Sequence, residues 1–164
     1  IKHDKEIEPL TVAKALSEIV EKEKPGLIMM GKQAIDDDCS QTGQILAQLC
    51  SIPQATFVSE VSIEGDKATV VREIDQGLET LEIDLPAIIT TDLRLNEPRY
   101  VKLPDIMKAK KKTLDVIESA DMETNFTSSI EIISVTSPPP RESGVMVEDV
   151  DQLFEALKEK GLMS

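Results

Sequence analysis

The residues best suited to chemistry run from Gly31 to Gln44: Gly-Lys-Gln-Ala-Ile-Asp-Asp-Asp-Cys-Ser-Gln-Thr-Gly-Gln. They follow the apolar run Leu27-Ile28-Met29-Met30 and precede a helical pattern, which places them at the carboxyl end of a strand, where open α/β sheets bind ligands. Free N–H groups at a helix start suit a phosphate, helped by donors on Ser40, Gln41 and Thr42 and by close approach over Gly43. Asp36, Asp37 and Asp38 oppose one. A carboxylate at a helix N-terminus gains about 0.3–1 kcal/mol from the helix dipole, so capping alone would account for these three. The residues by themselves leave two readings open, a nucleotide loop and a structural loop.

A second segment, 92–112, holds Pro98, Pro104, an isolated Leu103 between Lys102 and Pro104, and the cluster Lys108, Lys110, Lys111 and Lys112. Its pattern fits no buried strand. One apolar side chain on a charged, proline-stiffened stretch has the form of a docking anchor whose ordering cost is reduced in advance. The competing reading folds Leu103 back onto the body of the protein. The lysines read either as a solvated helix face or as steering charges; nucleic acid is disfavoured by 31 acidic against 18 basic residues, a net charge of −13. Arg72 and Glu73 lie on a strand, where a cross-strand surface pair competes with an ion pair to a partner subunit. His3 has no partnering base. No nucleophile–base pair and no metal-ligand spacing stands out, so neither catalysis nor a metal site is expected. Cys39 and Cys50 are too few for a disulfide framework and read as ordinary thiols in a reducing compartment.

The elements that must position these residues follow from periodicity. Pro9 precedes Leu10, Ala13, Leu16, Ile19 and Val20 at helical spacing, and Lys24-Pro25-Gly26 ends the run. Leu27–Met30 is short enough for a strand covered on both faces, and a second helix runs from about Gln41 to Cys50 with Ile45, Leu46 and Leu49. Helix, buried strand, helix implies a parallel sheet. Beyond Pro53 the alternation changes to a hairpin, Phe57 to Ile63 and Ala68 to Ile74 around Glu64-Gly65-Asp66-Lys67. Asp75-Gln76-Gly77 turns into Leu78–Leu85, and Pro86 separates this strand from Ala87–Thr90. Ile130–Val135 reads as one more strand, Pro138-Pro139-Pro140 as a stiff connector, and Val150–Lys160 as a helix with Leu153, Phe154 and Leu157 inward. The chain of 164 residues fits one domain, 1–164, and 40% hydrophobic content supports a core. No apolar run approaches the roughly 18 residues of a membrane span. The opening Ile1-Lys2-His3-Asp4 lacks an initiator Met, and an N-terminal truncation is expected.

The segment Gly31-Lys32-Gln33-Ala34-Ile35-Asp36-Asp37-Asp38 resembles the opening of the adenosine monophosphate loop of electron-transfer flavoprotein β subunits. Further matches follow in order: Gly65-Asp66, Arg72-Glu73-Ile74-Asp75, Gly77-Leu78-Glu79, Leu85-Pro86-Ala87, and Thr91-Asp92-Leu93-Arg94-Leu95-Asn96-Glu97-Pro98-Arg99-Tyr100. Leu103-Pro104-Asp105-Ile106-Met107-Lys108-Ala109-Lys110-Lys111-Lys112 matches too, with variation at Asp105. The similarity is weakest over 119–143.

The resemblance implies an α/β fold: a partial parallel, adenine nucleotide α hydrolase-like sheet extended by antiparallel strands, an extended recognition loop at 92–112, and a C-terminal connector and helix at 137–164. It implies a heterodimer whose α subunit holds most of the FAD while the β subunit holds a structural AMP, an electron carrier rather than an enzyme. Electrons would come from acyl-CoA dehydrogenases and go to a membrane quinone oxidoreductase. The matching AMP segment would be Gly31, Lys32, Gln33, Ala34, Ile35, Asp36, Asp37, Asp38, Cys39, Ser40, Gln41 and Thr42. Dehydrogenase docking would fall to Leu103, Pro104, Ile106, Met107, Lys108 and Lys111, with Lys108 and Lys111 open to a lysine methyltransferase; methylation keeps the charge while changing its donors. The location implied is the mitochondrial matrix, or the cytoplasm of a bacterium. Two other readings of the residues remain, an adenine-nucleotide hydrolase or ligase, which needs a glycine-rich phosphate loop or catalytic His or Lys, and a nucleotide sensor, which has no need of 92–112.

Overall fold

Pro9 opens the first helix because its missing N–H is one that the first turn would leave unpaired, and its ring holds φ near the helical value. Helix α1 spans Pro9–Glu23 and ends at Lys24, whose left-handed backbone returns its N–H to the Val20 carbonyl. The computed structural model describes residues 1–141 and 143–163. The small residues Ala13 and Ala15 are buried on α1, so the helix lies close against its neighbours, with Leu16 and Val20 half-buried beside them. Leu10, expected inward, is exposed, and Thr11 is buried instead.

Strand β1 (Leu27–Gly31), helix α2 (Thr42–Cys50) and strands β2 (Gln54–Glu64), β3 (Lys67–Ile74), β4 (Gly77–Asp84) and β5 (Ala87–Thr91) follow. They build one sheet in the order β1-β5-β2-β3-β4. β5 is parallel to both β1 and β2, whereas β2, β3 and β4 form an antiparallel meander. This is the expected α/β fold of parallel strands extended by antiparallel ones. The register Leu27↔Ala87 through Gly31↔Thr91 brings the carboxyl ends of β1 and β5 side by side.

Ala87, Ile88, Ile89 and Thr90 are all buried because β5 has strands on both edges and packing on both faces. Successive side chains of a strand point to opposite faces. Ile88 accordingly joins Ala13, Leu46 and Ala47 in the core beneath the helices, while Ile89 joins Ala55, Val58, Ala68 and Val70 in a second core across the sheet. β1, by contrast, is an edge. Its apolar run is expected to be covered on both faces, but Met29 is 49% exposed on this terminal strand of the sheet.

After β5 the chain leaves the sheet, and residues 96–116 are exposed throughout. Within the expected extended loop, Leu103–Ala109 forms helix α3, with Pro104 in its first turn. The chain then returns to the body. Lys2 donates to the Ile117 carbonyl at 2.8 Å and accepts from Ser119 at 3.0 Å. Glu18 on α1 accepts the Glu123 and Thr124 N–H groups and the Thr124 hydroxyl, which together hold its carboxyl below the usual range, the hydroxyl most of all.

The sequence reads as one domain, whereas the structure separates Ile1–Ser129 from Ile130–Ser164. In the second unit, residues 130–135 do not form a strand, and Ile130, Ile132, Ile133 and Val135 are exposed. A β-branched run becomes a strand only when an edge takes up its backbone groups. Helix α4 (Val150–Glu159) starts where expected, with Asp149 accepting the Gln152 N–H at 2.8 Å. Leu153 and Phe154 are exposed rather than inward and Leu157 is half-buried, since none of this unit's described residues is buried.

Candidate functional site

The loop between β1 and α2 folds on its own side chains. Gln33 donates to the Asp38 carboxylate, Asp36 Oδ1 accepts the Asp37 N–H at 3.1 Å, and Asp37 Oδ1 accepts the Cys39 N–H at 3.1 Å. Asp38 and Ser40 adopt left-handed φ of 53°, a conformation that short polar side chains tolerate better than most. None of the three aspartates caps α2. Its N-cap is Gln41, which makes no side-chain cap bond, and its first turn contains no acid. Helix capping, which would have explained the aspartates as purely structural, is therefore not what they do. The first N–H groups of α2 remain open to a ligand.

These open N–H groups border a cleft of about 260 Å³. Of the twelve loop residues singled out in the sequence, Gly31, Lys32, Gln33, Ala34, Asp37, Cys39, Ser40, Gln41 and Thr42 line it; Val12, Met30 and Gly43 complete it. Ile35 is 100% exposed at the loop tip, Asp36 borders a neighbouring cavity with His3 and Phe126, and Asp38 serves to hold Gln33. Cys39 and Cys50 are free thiols. Gly43 has a specific reason to be glycine: a Cβ there would stand 2.4 Å from Thr90 Cγ2. The absence of a side chain lets the start of α2 come down onto β5, and so sets where its N–H groups lie.

Lys32 is tied at both ends. Its N–H donates to the Thr91 carbonyl at 3.0 Å, and its Nζ donates to Asp92 Oδ2 at 2.8 Å. Asp92 is 7% exposed and also accepts Arg94 Nε at 2.8 Å and the Arg94 N–H at 3.1 Å. These donors, Lys32 foremost, hold the Asp92 carboxyl far below the usual carboxylate range. Arg94 continues the chain of charges to Glu73. Arg72 pairs across the strands with Glu79 at 2.6 Å and reaches Thr56. The role of Asp92 could not be read from the sequence, where it is simply the first residue of a charged, exposed stretch.

The second candidate region sits on α3. Leu103 is 71% exposed, with Ile106 and Met107 exposed beside it. Leu103 is not tucked against the other described residues. Lys108 lies in the last turn, where its charge complements the helix dipole, and Lys110, Lys111 and Lys112 follow at the C-terminus. His3 Nδ1 lies 2.9 Å from Ser119 Oγ and its ring sits against Phe126. No helix among the described residues is long and apolar enough to cross a membrane.

The fold is thus that of an α/β protein with a cleft at the carboxyl ends of parallel strands and an exposed helical arm rich in lysine. The Electron transfer flavoprotein domain matches residues 2–122. Over 152 residues the chain is 59% identical to the mitochondrial electron transfer flavoprotein subunit beta of Arabidopsis thaliana, covering 92% of this chain and 61% of that protein. It is 56% identical over 153 residues to the electron transfer flavoprotein subunit beta of Mus musculus and to that of Homo sapiens, covering 93% of this chain and 60% of each. The chain belongs to the electron transfer flavoprotein family, and its similarity is to the beta subunits. It spans about 60% of the length of the curated relatives it matches.

Proposed function

We propose that this chain is the part of an electron-transfer flavoprotein beta subunit that holds a structural AMP and docks the electron donor, acting as a subunit of an electron carrier and not as a catalyst. The observation that carries the reading is the Gly31–Thr42 loop, which satisfies its carboxylates internally and leaves the first N–H groups of α2 facing a cleft. A helix N-terminus with open N–H groups favours a phosphate without any added cation. The AMP phosphate sits on α2, with Ser40, Gln41 and Thr42 as neutral donors. An α subunit completes the protein and holds most of the FAD. Electrons enter from acyl-CoA dehydrogenases and leave to a membrane quinone oxidoreductase. Leu103, Pro104, Ile106 and Met107 form the docking face on α3, with Lys108 and Lys111 as charges that a lysine methyltransferase can modify. The location is the mitochondrial matrix, in line with the naming of the Arabidopsis relative as mitochondrial.

The test is to denature the complete heterodimer and identify the released small molecules by chromatography and mass spectrometry. AMP and FAD in equal amounts are expected. FAD alone would remove the nucleotide from the Gly31–Thr42 cleft, and neither would reject the carrier reading.

A further inference from the structure

We propose that Asp92 makes the Gly31–Thr42 cleft selective for a nucleotide with a single phosphate, by holding the Lys32 ammonium in an ion pair so that the cleft presents no net positive charge to a longer phosphate chain. This rests on the reading of the cleft as a nucleotide site. Among the described residues lining the cleft, Lys32 is the only cation and Asp37 the only carboxylate. Proteins that accept polyphosphates meet the added charge with cations, typically a lysine reaching the outer phosphates. Here that lysine is engaged elsewhere. Lys32 stands on the wall between the cleft and a second cavity lined by Phe57, Glu73, Ile74, Asp75, Asp92 and Arg94, and its ammonium is bound on the Asp92 side at 2.8 Å.

Asp92 is well suited to keep it there. It is buried, its second oxygen is fixed by two donors from Arg94, and its backbone N–H donates to the Val58 carbonyl at 2.8 Å. The carboxylate therefore has one orientation, with Oδ2 aimed at Lys32. The Lys32 and Arg94 donors favour its ionised form. With the ammonium neutralised and Asp37 on the lip, a phosphate is bound by N–H dipoles and neutral donors alone. Those donors suffice for one phosphate, while each further phosphate adds negative charge beside Asp37 and gains no counter-charge.

Asp92 acts through Lys32 and is a positioning residue. The experiment uses the complete polypeptide that contains these 164 residues, assembled and stripped of nucleotide, with AMP and ADP titrated by calorimetry. Wild type should prefer AMP. Asp92→Asn frees the ammonium and should narrow the preference by about tenfold, Asp92→Glu should keep it, and Asp92→Asn combined with Lys32→Gln should restore it, because the relaxed selectivity depends on the freed charge. A merely structural Asp92 would lower both affinities together and leave their ratio unmoved. An unchanged ratio in folded Asp92→Asn, or a double variant as relaxed as the single one, overturns the proposal. If Asp92→Asn does not fold, Asp37→Asn on the exposed loop decides: its ratio must also shift toward ADP, and no shift overturns the proposal. Wild type that binds ADP as well as AMP overturns the proposal alone, whereas wild type that binds neither overturns the nucleotide reading as well.

Discussion

Gly43 and Thr90 meet across the helix–sheet interface so closely that a single added methyl would stand 2.4 Å from Thr90 Cγ2. Two effects of Gly43→Ala oppose each other. Alanine is better than glycine inside a helix by about 1 kcal/mol, but forcing a methyl into a packed interface costs about 1–3 kcal/mol. At 2.4 Å, far inside contact distance, the clash decides the sign. Gly43→Ala should lower the unfolding free energy in urea, and Thr90→Ser, which removes the opposing methyl, should recover part of the loss in the double variant. Additive effects of the two changes would show that they do not meet.

Asp92 gives the protein a pH dependence of definite sign. Its folded carboxyl titrates below the ordinary unfolded value of about 3.9, held there by Lys32 and then Arg94. Its contribution is fully present above that unfolded value and is lost as pH falls toward the folded one, because the unfolded chain then binds the extra proton. Asp92→Asn should be less stable than wild type at pH 7, and the gap should close on acidification below about pH 4. Unfolding curves at several pH values measure this, and a gap that stays constant would detach Asp92 from the acid response.

Leu103 should matter for docking and not for folding. Burying a leucine side chain is worth about 1.5–3 kcal/mol, so Leu103→Ala should weaken docking of an acyl-CoA dehydrogenase by about tenfold to a hundredfold. Since Leu103 is exposed, unfolding should move by no more than about 0.5 kcal/mol. Electron transfer from the dehydrogenase, titrated beside a dye acceptor, reads the first effect. Wild-type behaviour there would take the docking role away from α3.

Lys108 and Lys111 should act on the encounter. Exposed charges are screened beyond a Debye length of about 8 Å at physiological salt, so neutralising both should slow association and flatten its salt dependence, with little change in dissociation. Stopped-flow association at several ionic strengths is the measurement. A change confined to the dissociation rate would place the lysines inside the contact instead.

A nucleotide-bound site also predicts ligand-dependent stability, because a ligand of the native state adds RT ln(1 + [L]/Kd). AMP added to the stripped, complete protein should raise its melting temperature in a concentration-dependent way, and Gly43→Ala should blunt the rise by shifting the N–H groups of α2. A flat response in wild type would argue against the cleft as the site.

Much of the local structure was determined by the sequence alone, because its causes lie within a few residues. Pro9 and Lys24-Pro25-Gly26 bracket α1, Gly65 and Gly77 mark the two turns of the meander with positive φ, and the Asp149/Gln152 pair starts α4. The Gly31–Thr42 loop was legible as a candidate site for the same reason: strand, polar loop and helix are consecutive. What depended on distant partners was not legible. Nothing in Ala87–Thr91 says that it inserts between β1 and β2, since register and strand order come from pairing across tens of residues. Residues 130–135 have strand composition yet form no strand, and Leu153 and Phe154 have helical spacing yet stay exposed. Asp92 shows the limit most clearly. Its neighbours in sequence are exposed and charged, yet the parallel register of β1 and β5 sets it beside Lys32, 60 residues away, and only that long-range contact turns a surface aspartate into the buried carboxylate that governs the charge of the cleft.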